Sequence, residues 1–127
     1  MIEYVLFVPA PLDRKGKPAF INANQRHHWA VKAEMTRNWR TMAKLAATNA
    51  GLPKGLERVH IVAYVNKANK RPYDAHNLYP TAKAAIDGLV DHGLIVDDLN
   101  DHLEGPDLRQ GATREEAGIT LTIKEIQ

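Results

Sequence analysis

The sequence predicts a small α+β domain, a mixed β-sheet with two main helices packed on one face. Three observations carry that expectation. Apolar residues alternate with others near the start, the middle and the end of the chain, as in half-buried strands. Between these stretches, apolar residues recur at steps of three and four, as on amphipathic helices. Gly and Pro punctuate the boundaries between the two patterns. At 127 residues the chain has the size of one domain, residues 1–127.

Ile2, Tyr4, Leu6 and Val8 alternate with Glu3, Val5 and Phe7, predicting a strand ended by Pro9 and Pro11. Residues 12–26, with Gly16, Pro18, Asn22 and Asn24, predict a loop. From His27 the period becomes helical. Met35, Trp39, Met42, Ala43, Ala46 and Ala50 share a face, and Gly51 before Pro53 ends it. Val59, Ile61, Ala63 and Val65 predict a second strand. Asn77 is a candidate N-cap for the next helix, with Pro80 tolerated in its first turn. Its apolar stripe is Leu78, Ala82, Ala85, Ile86, Leu89 and Val90, and Gly93 marks its end. Lys83, Asp87 and Asp91 lie at four-residue steps on the other side. Residues 99–116 suggest only a short strand near 101–104 and a loop through Gly105-Pro106. Ile119, Leu121 and Ile123 predict the last strand.

Composition removes several chemistries. There is no cysteine, so disulfides, thiolate catalysis and Cys-based metal centres are excluded, and a reducing cytosol is the expected setting. The apolar start is too short to span a bilayer and lacks the basic head of a signal peptide, so a soluble protein without a membrane role is expected. Net charge is only +2, but its distribution is uneven. Residues 14–71 carry thirteen Lys and Arg against Glu34 and Glu57, whereas the acids concentrate after residue 73. A phosphate-binding surface beside an acidic pocket accounts for this; so do two uneven solvated surfaces.

The segment Arg71-Pro72-Tyr73-Asp74-Ala75-His76-Asn77 … Lys83 … Asp87 … Asp97-Asp98 holds the densest chemistry. Asp74 stands before the predicted helix, and Asp97 and Asp98 follow it. Carboxylates from both ends, brought together, would hold a hard divalent cation such as Mg²⁺. The helix is about 22 Å long at 1.5 Å per residue, so the chain after Gly93 must fold back for the ends to meet. Otherwise Asp74 is a turn residue and Asp97-Asp98 a solvated pair. Lys83 between them suggests a phosphate ester as substrate.

Candidate phosphate contacts are Arg37, Arg40 and Lys44 on the first helix, and Lys67, Lys70 and Arg71 leading into Asp74. The first group is equally the solvated face of a helix. Asn22-x-Asn24-x-Arg26-His27-His28-Trp29 is a candidate DNA-contacting loop, with Arg26 its cation. His27 and His28 diverge on a helix and make a poor metal pair. Trp29 and Trp39 are expected in the core rather than as base-stacking platforms. His60, His92 and His102 show no ligand spacing.

The string Asp74-x-x-Asn77-Leu78 … Lys83-Ala84-Ala85-Ile86-Asp87-Gly88-Leu89 … Gly93 … Asp97-Asp98 resembles the RusA family of Holliday junction resolvases. That family opens a helix with D-x-D-N, carries K-x-x-x-D along it, and places a D-D pair about ten residues later. The match is tight over residues 71–98 and looser in the flanking elements. It departs from the pattern twice. Tyr79-Pro80-Thr81 lengthens the step from Asn77 to Lys83, and His76 stands where the family has its second Asp.

The resemblance implies a RusA-like fold and a structure-specific endodeoxyribonuclease acting in recombination and repair. It implies a homodimer that nicks four-way junctions or other branched DNA in a bacterial cytoplasm, encoded by a phage or prophage. Asp74, Lys83 and Asp98 would be catalytic. Asp74 and Asp98 would hold Mg²⁺, with His76 in the altered third position and Asp97 as a replacement ligand. Asn77 and Asp87 would support them from behind. Imidazole suits Mn²⁺ better than Mg²⁺, so Mn²⁺ is a second candidate. His76 is alternatively a water-orienting base, or a change that leaves a branched-DNA binder with weak or lost cleavage.

Overall fold

The chain runs through β1 (Glu3–Pro9), α1 (Trp29–Ala50), β2 (Val59–Asn66), a 3₁₀ turn (Ala75–Leu78), α2 (Tyr79–His92), β3 (Leu103–Gln110) and β4 (Gly118–Glu125). This is the arrangement in a computed structural model that describes residues 2–127. The four strands form one mixed sheet in the order β1-β4-β2-β3. β4 runs antiparallel to both β1 and β2, whereas β2 and β3 are parallel. A parallel pair needs a crossover, and α2 supplies it. The architecture is therefore α+β with a mixed sheet and two main helices.

Alternation places the core on one side of the sheet. Val59, Ile61, Ala63 and Val65 of β2 are fully buried, as are Ile119, Leu121 and Ile123 of β4. Leu6 and Val8 of β1 join them. The intervening Tyr64, Thr120, Thr122 and Lys124 stay at least partly accessible. Both helices pack into this same core: Met35, Trp39, Ala43 and Ala47 from α1, and Ala82, Ala85, Ile86 and Leu89 from α2.

The helices cross closely because Gly88 has no side chain. A Cβ there would overlap the Arg40 carbonyl oxygen and stand 2.8 Å from Ala43 Cβ. Each helix ends at a glycine with positive φ, Gly51 at 68° and Gly93 at 100°. Their N–H groups return to the last-turn carbonyls, as the sequence predicts.

Three local expectations are corrected. β3 is a full strand through Gly105-Pro106 rather than a short one near 101–104. It lies at the sheet edge, and the register shifts opposite His60 and Val62, which is where a proline is tolerated. Asn77 does not cap α2. It lies inside the 3₁₀ turn, which Asp74 caps by accepting the His76 N–H, and α2 starts at Tyr79 with Pro80 in its first turn. Trp29 is 77% exposed, not core; only Trp39 is buried. Trp29 falls at the same angle on α1 as buried Ala47, but it is the first residue of the helix, six before the first buried one, Met35.

The 12–26 loop is firmly anchored. Buried Trp39 donates its indole N–H to Ala19 O at 2.7 Å, and its ring lies 5.7 Å from Phe20. The Thr81 hydroxyl accepts the Ile21 N–H at 2.8 Å and donates to Ile21 O at 2.9 Å. Ala23 N–H donates to Asn77 O at 2.7 Å. The loop is thereby clamped to the N-terminal end of α2. Among the described residues, no helix is long and apolar enough to cross a membrane.

Candidate functional site

After Gly93 the chain does reverse. Asp98 comes back along α2 and forms an ion pair with the Lys83 ammonium, which also donates to Asp87 Oδ1 at 2.7 Å. Lys83 and Asp87 are one helical turn apart, so the same face presents both to the returning loop. All three side chains are partly covered, Asp98 most of all at 25% exposed. Two carboxylates around one ammonium leave a net negative charge on this face.

The pairing shifts the titration of both partners. The hydrogen bond from Lys83 holds Asp98 below the usual carboxylate range, against the opposing effect of burial. Burial pushes Lys83 down, but its bonds to Asp87 and Asp98 outweigh this and raise it overall. Both groups are therefore ionised at neutral pH.

Asp74 and His76 form a second cluster before α2. Asp74 Oδ1 accepts the His76 backbone N–H at 3.0 Å and lies 3.3 Å from His76 Nδ1. Both side chains are well exposed, at 60% and 81%. Asn77 donates its backbone N–H to Asp74 O at 3.1 Å. Asp97 accepts the Leu99 N–H through Oδ1 at 3.0 Å, which makes it the turn residue of the reversal.

Of the residues expected around a metal, the fold thus pairs Asp74 with His76, and joins Asp98 to Lys83 and Asp87. Among the described residues no three acidic or histidine side chains are gathered into a metal-holding group. The donor chemistry nevertheless fits Mg²⁺ or Mn²⁺. Such ions are commonly held by one or two carboxylates, with waters and substrate phosphates completing the shell. Asp74 Oδ2 and Asp98 Oδ1 lie outside the contacts just described.

The basic residues divide into free and engaged groups. Arg26, Arg37, Lys44, Lys70 and Arg71 are exposed. Arg40 is tied to α2, its Nη2 donating to Asp91 Oδ1 at 2.8 Å. That bond raises the Arg40 guanidinium further and lowers Asp91, and Asp87 adds its field to Arg40. Lys67 sits over two rings, 4.5 Å from the Tyr73 centroid and 5.5 Å from Phe20. It holds the segment leading into Asp74 against the 12–26 loop.

The other histidines have structural partners. His92 is buried, its Nε2 2.9 Å from Leu52 O. His60 pairs with Asp107 at 2.6 Å on the far side of the sheet, and His102 Nδ1 lies 2.8 Å from Glu57 O. Sequence reasoning misplaced Trp29, and its place at the very start of α1, more than a turn ahead of Met35, was the available signal. No family model matches the chain, and no curated protein is significantly similar to it.

Proposed function

We propose that this protein is a structure-specific endodeoxyribonuclease of the RusA kind, cutting four-way junctions or other branched DNA by metal-dependent phosphodiester hydrolysis. The observation that carries the reading is the reversal that returns Asp98 to Lys83. The resemblance requires those two residues at one site, and local periodicity provides no reason for them to meet. Asp74 stands at the N-terminal end of the same helix, which is where the family pattern puts its first carboxylate.

Asp74 and Asp98 would hold the cation, with His76 and Asp97 as the nearest additional donors. The chemistry Mg²⁺ or Mn²⁺ would supply there is polarisation of the phosphate and a lowered pKa for the attacking water. Lys83 offsets the negative charge that builds on the phosphorane, and Asp87 keeps the ammonium charged and oriented from behind. Arg26, Arg37, Lys44, Lys70 and Arg71 supply phosphate contacts that position a DNA backbone without reading sequence. Two copies acting together would nick a junction symmetrically in a bacterial cytoplasm.

A second reading is favoured by one specific contact. His76 Nδ1 lies 3.3 Å from Asp74 Oδ1, so it faces the carboxylate with which it would share the cation. A protein that grips branched DNA and cuts it poorly would have such a site. Incubating the full chain with a labelled four-way junction and with linear duplex, each with Mg²⁺ and with Mn²⁺, separates the two. Symmetric nicking of the junction supports the nuclease. Junction-selective retention with no product under either metal supports the binder, and equal behaviour toward both DNAs removes both readings.

A further inference from the structure

Among the described residues Trp29 is the most exposed of the large apolar side chains, and local contacts define its surroundings. It occupies the first position of α1, and His28 before it caps the helix, its Nδ1 accepting the Ala30 N–H at 3.2 Å. The His28 ring lies 5.6 Å from the indole at a 31° tilt. The indole therefore sits on a fixed helix end beside a second aromatic plane, with nothing from the core covering it.

The charge around it is positive. Trp29, Arg37 and Lys44 fall within about 80° of one another on α1, along some 22 Å of helix. Arg37 and Lys44 are exposed on this side, and Arg26 is exposed just before it. The face also borders the candidate site, because Arg40 is bonded to Asp91 and feels the charge of Asp87 on α2. At the other end, Ala23 is bonded to Asn77, next to His76. Trp29 is six residues on from Ala23, so its Cα lies within about 22 Å of that anchor. A cationic track that ends in an exposed aromatic ring is suited to nucleic acid whose bases are not all paired: cations follow the phosphates, and the ring stacks on a base.

We propose that Trp29, backed by His28, is a stacking platform for an unpaired DNA base, and that the strand carrying that base runs its phosphates along the Arg37–Lys44 side of α1. This deepens the nuclease reading and rests on it. It assigns the selectivity for branched DNA to a ring at the end of α1, apart from the carboxylates that would do the cutting.

The test measures binding of the full chain, in EDTA, to a labelled gapped duplex and to a continuous duplex of the same length. Wild type should prefer the gapped DNA. Trp29→Ala should lose about tenfold or more on the gapped DNA and little on the continuous duplex, and Trp29→Phe should keep most of the preference. A single-stranded oligothymidylate should quench the indole fluorescence of wild type, and Trp29→Phe should abolish the quench, since Trp39 is buried. Equal losses on both DNAs, no loss on either, or a quench that survives Trp29→Phe would each overturn the platform. Wild-type binding with an unaffected Trp29→Ala removes Trp29 alone. A wild type that binds neither DNA removes the nuclease reading and the platform with it.

Discussion

Lys83 and Asp98 stand fifteen residues apart in sequence, and one ion pair closes the chain reversal between them. The pair fixes the loop after Gly93 against α2 and has a definite pH signature. Asp98 is depressed, so its contribution to stability is present above the unfolded carboxylate pKa of about 3.9 and is lost as pH falls through the folded value. Lys83 is raised, so its contribution is complete below about 10.4 and is lost as pH rises through the folded value. Stability should therefore plateau between these limits. Lys83→Met should lower the plateau by about 1 kcal/mol, since the groups are partly solvated, and should remove the alkaline fall. Melting temperature against pH for both proteins checks this; an unchanged curve would mean that the pair does not hold the loop.

Asp74→Asn and Asp98→Asn should each abolish junction cleavage, with binding retained or tighter because negative charge leaves a phosphate-facing surface. The two should differ in stability. Asp98→Asn loses the charge that faces Lys83 and should melt earlier, whereas exposed Asp74 should matter little. Full cleavage by either variant would take that residue out of the reaction.

His76→Asp tests what the imidazole does. As a metal ligand, His76 should give the natural protein a preference for Mn²⁺ over Mg²⁺, and the Asp variant should narrow it, since an added carboxylate favours a hard cation. As a base oriented by Asp74, it should instead be irreplaceable, and the variant should be slow with either metal. Rates with both metals decide, and a variant identical to wild type would place His76 outside the chemistry.

Changing Lys67, Lys70 and Arg71 together to Ala should flatten the dependence of log affinity on log salt. Three free cations would remove close to three contacts' worth of slope, at about 0.9 per phosphate. Because Lys67 already lies over Tyr73 and Phe20, a loss nearer two is expected. Titrations over a range of salt measure it, and an unchanged slope would make these residues ordinary surface charges.

Gly88→Ala should destabilise the protein by about 1–3 kcal/mol despite the better helix propensity of Ala, because the obstruction is the backbone of α1 at Arg40 rather than a movable side chain. Denaturant unfolding checks this. A neutral result would mean that the two helices can separate without cost.

What the sequence revealed depended on how local each feature is. β1, β2, β4 and both helices carry their own period, because each buries one face. β3 does not: only Leu103 and Leu108 of its eight residues are buried, and Gly105-Pro106 breaks any alternation. Asn77 looked like a cap because of its residue type, yet its N–H serves the 3₁₀ turn and its carbonyl the 12–26 loop. In the candidate site, residue identities were readable from spacing, whereas the meeting of Asp98 with Lys83 depends on a turn at 93–98 that no periodicity encodes.

The strand order carries one further consequence, for how the sheet can be assembled. β1 has a single neighbour, β4, and its first rung joins Glu3 to Lys124. During synthesis β1 emerges first of all the strands, yet its hydrogen-bonding edge stays open until the last of them appears. β4 must then insert between β1 and β2 and satisfy both at once. Contacts between residues so far apart in sequence make for slow, late closure, and until then an apolar strand stands ready to pair with a neighbouring chain.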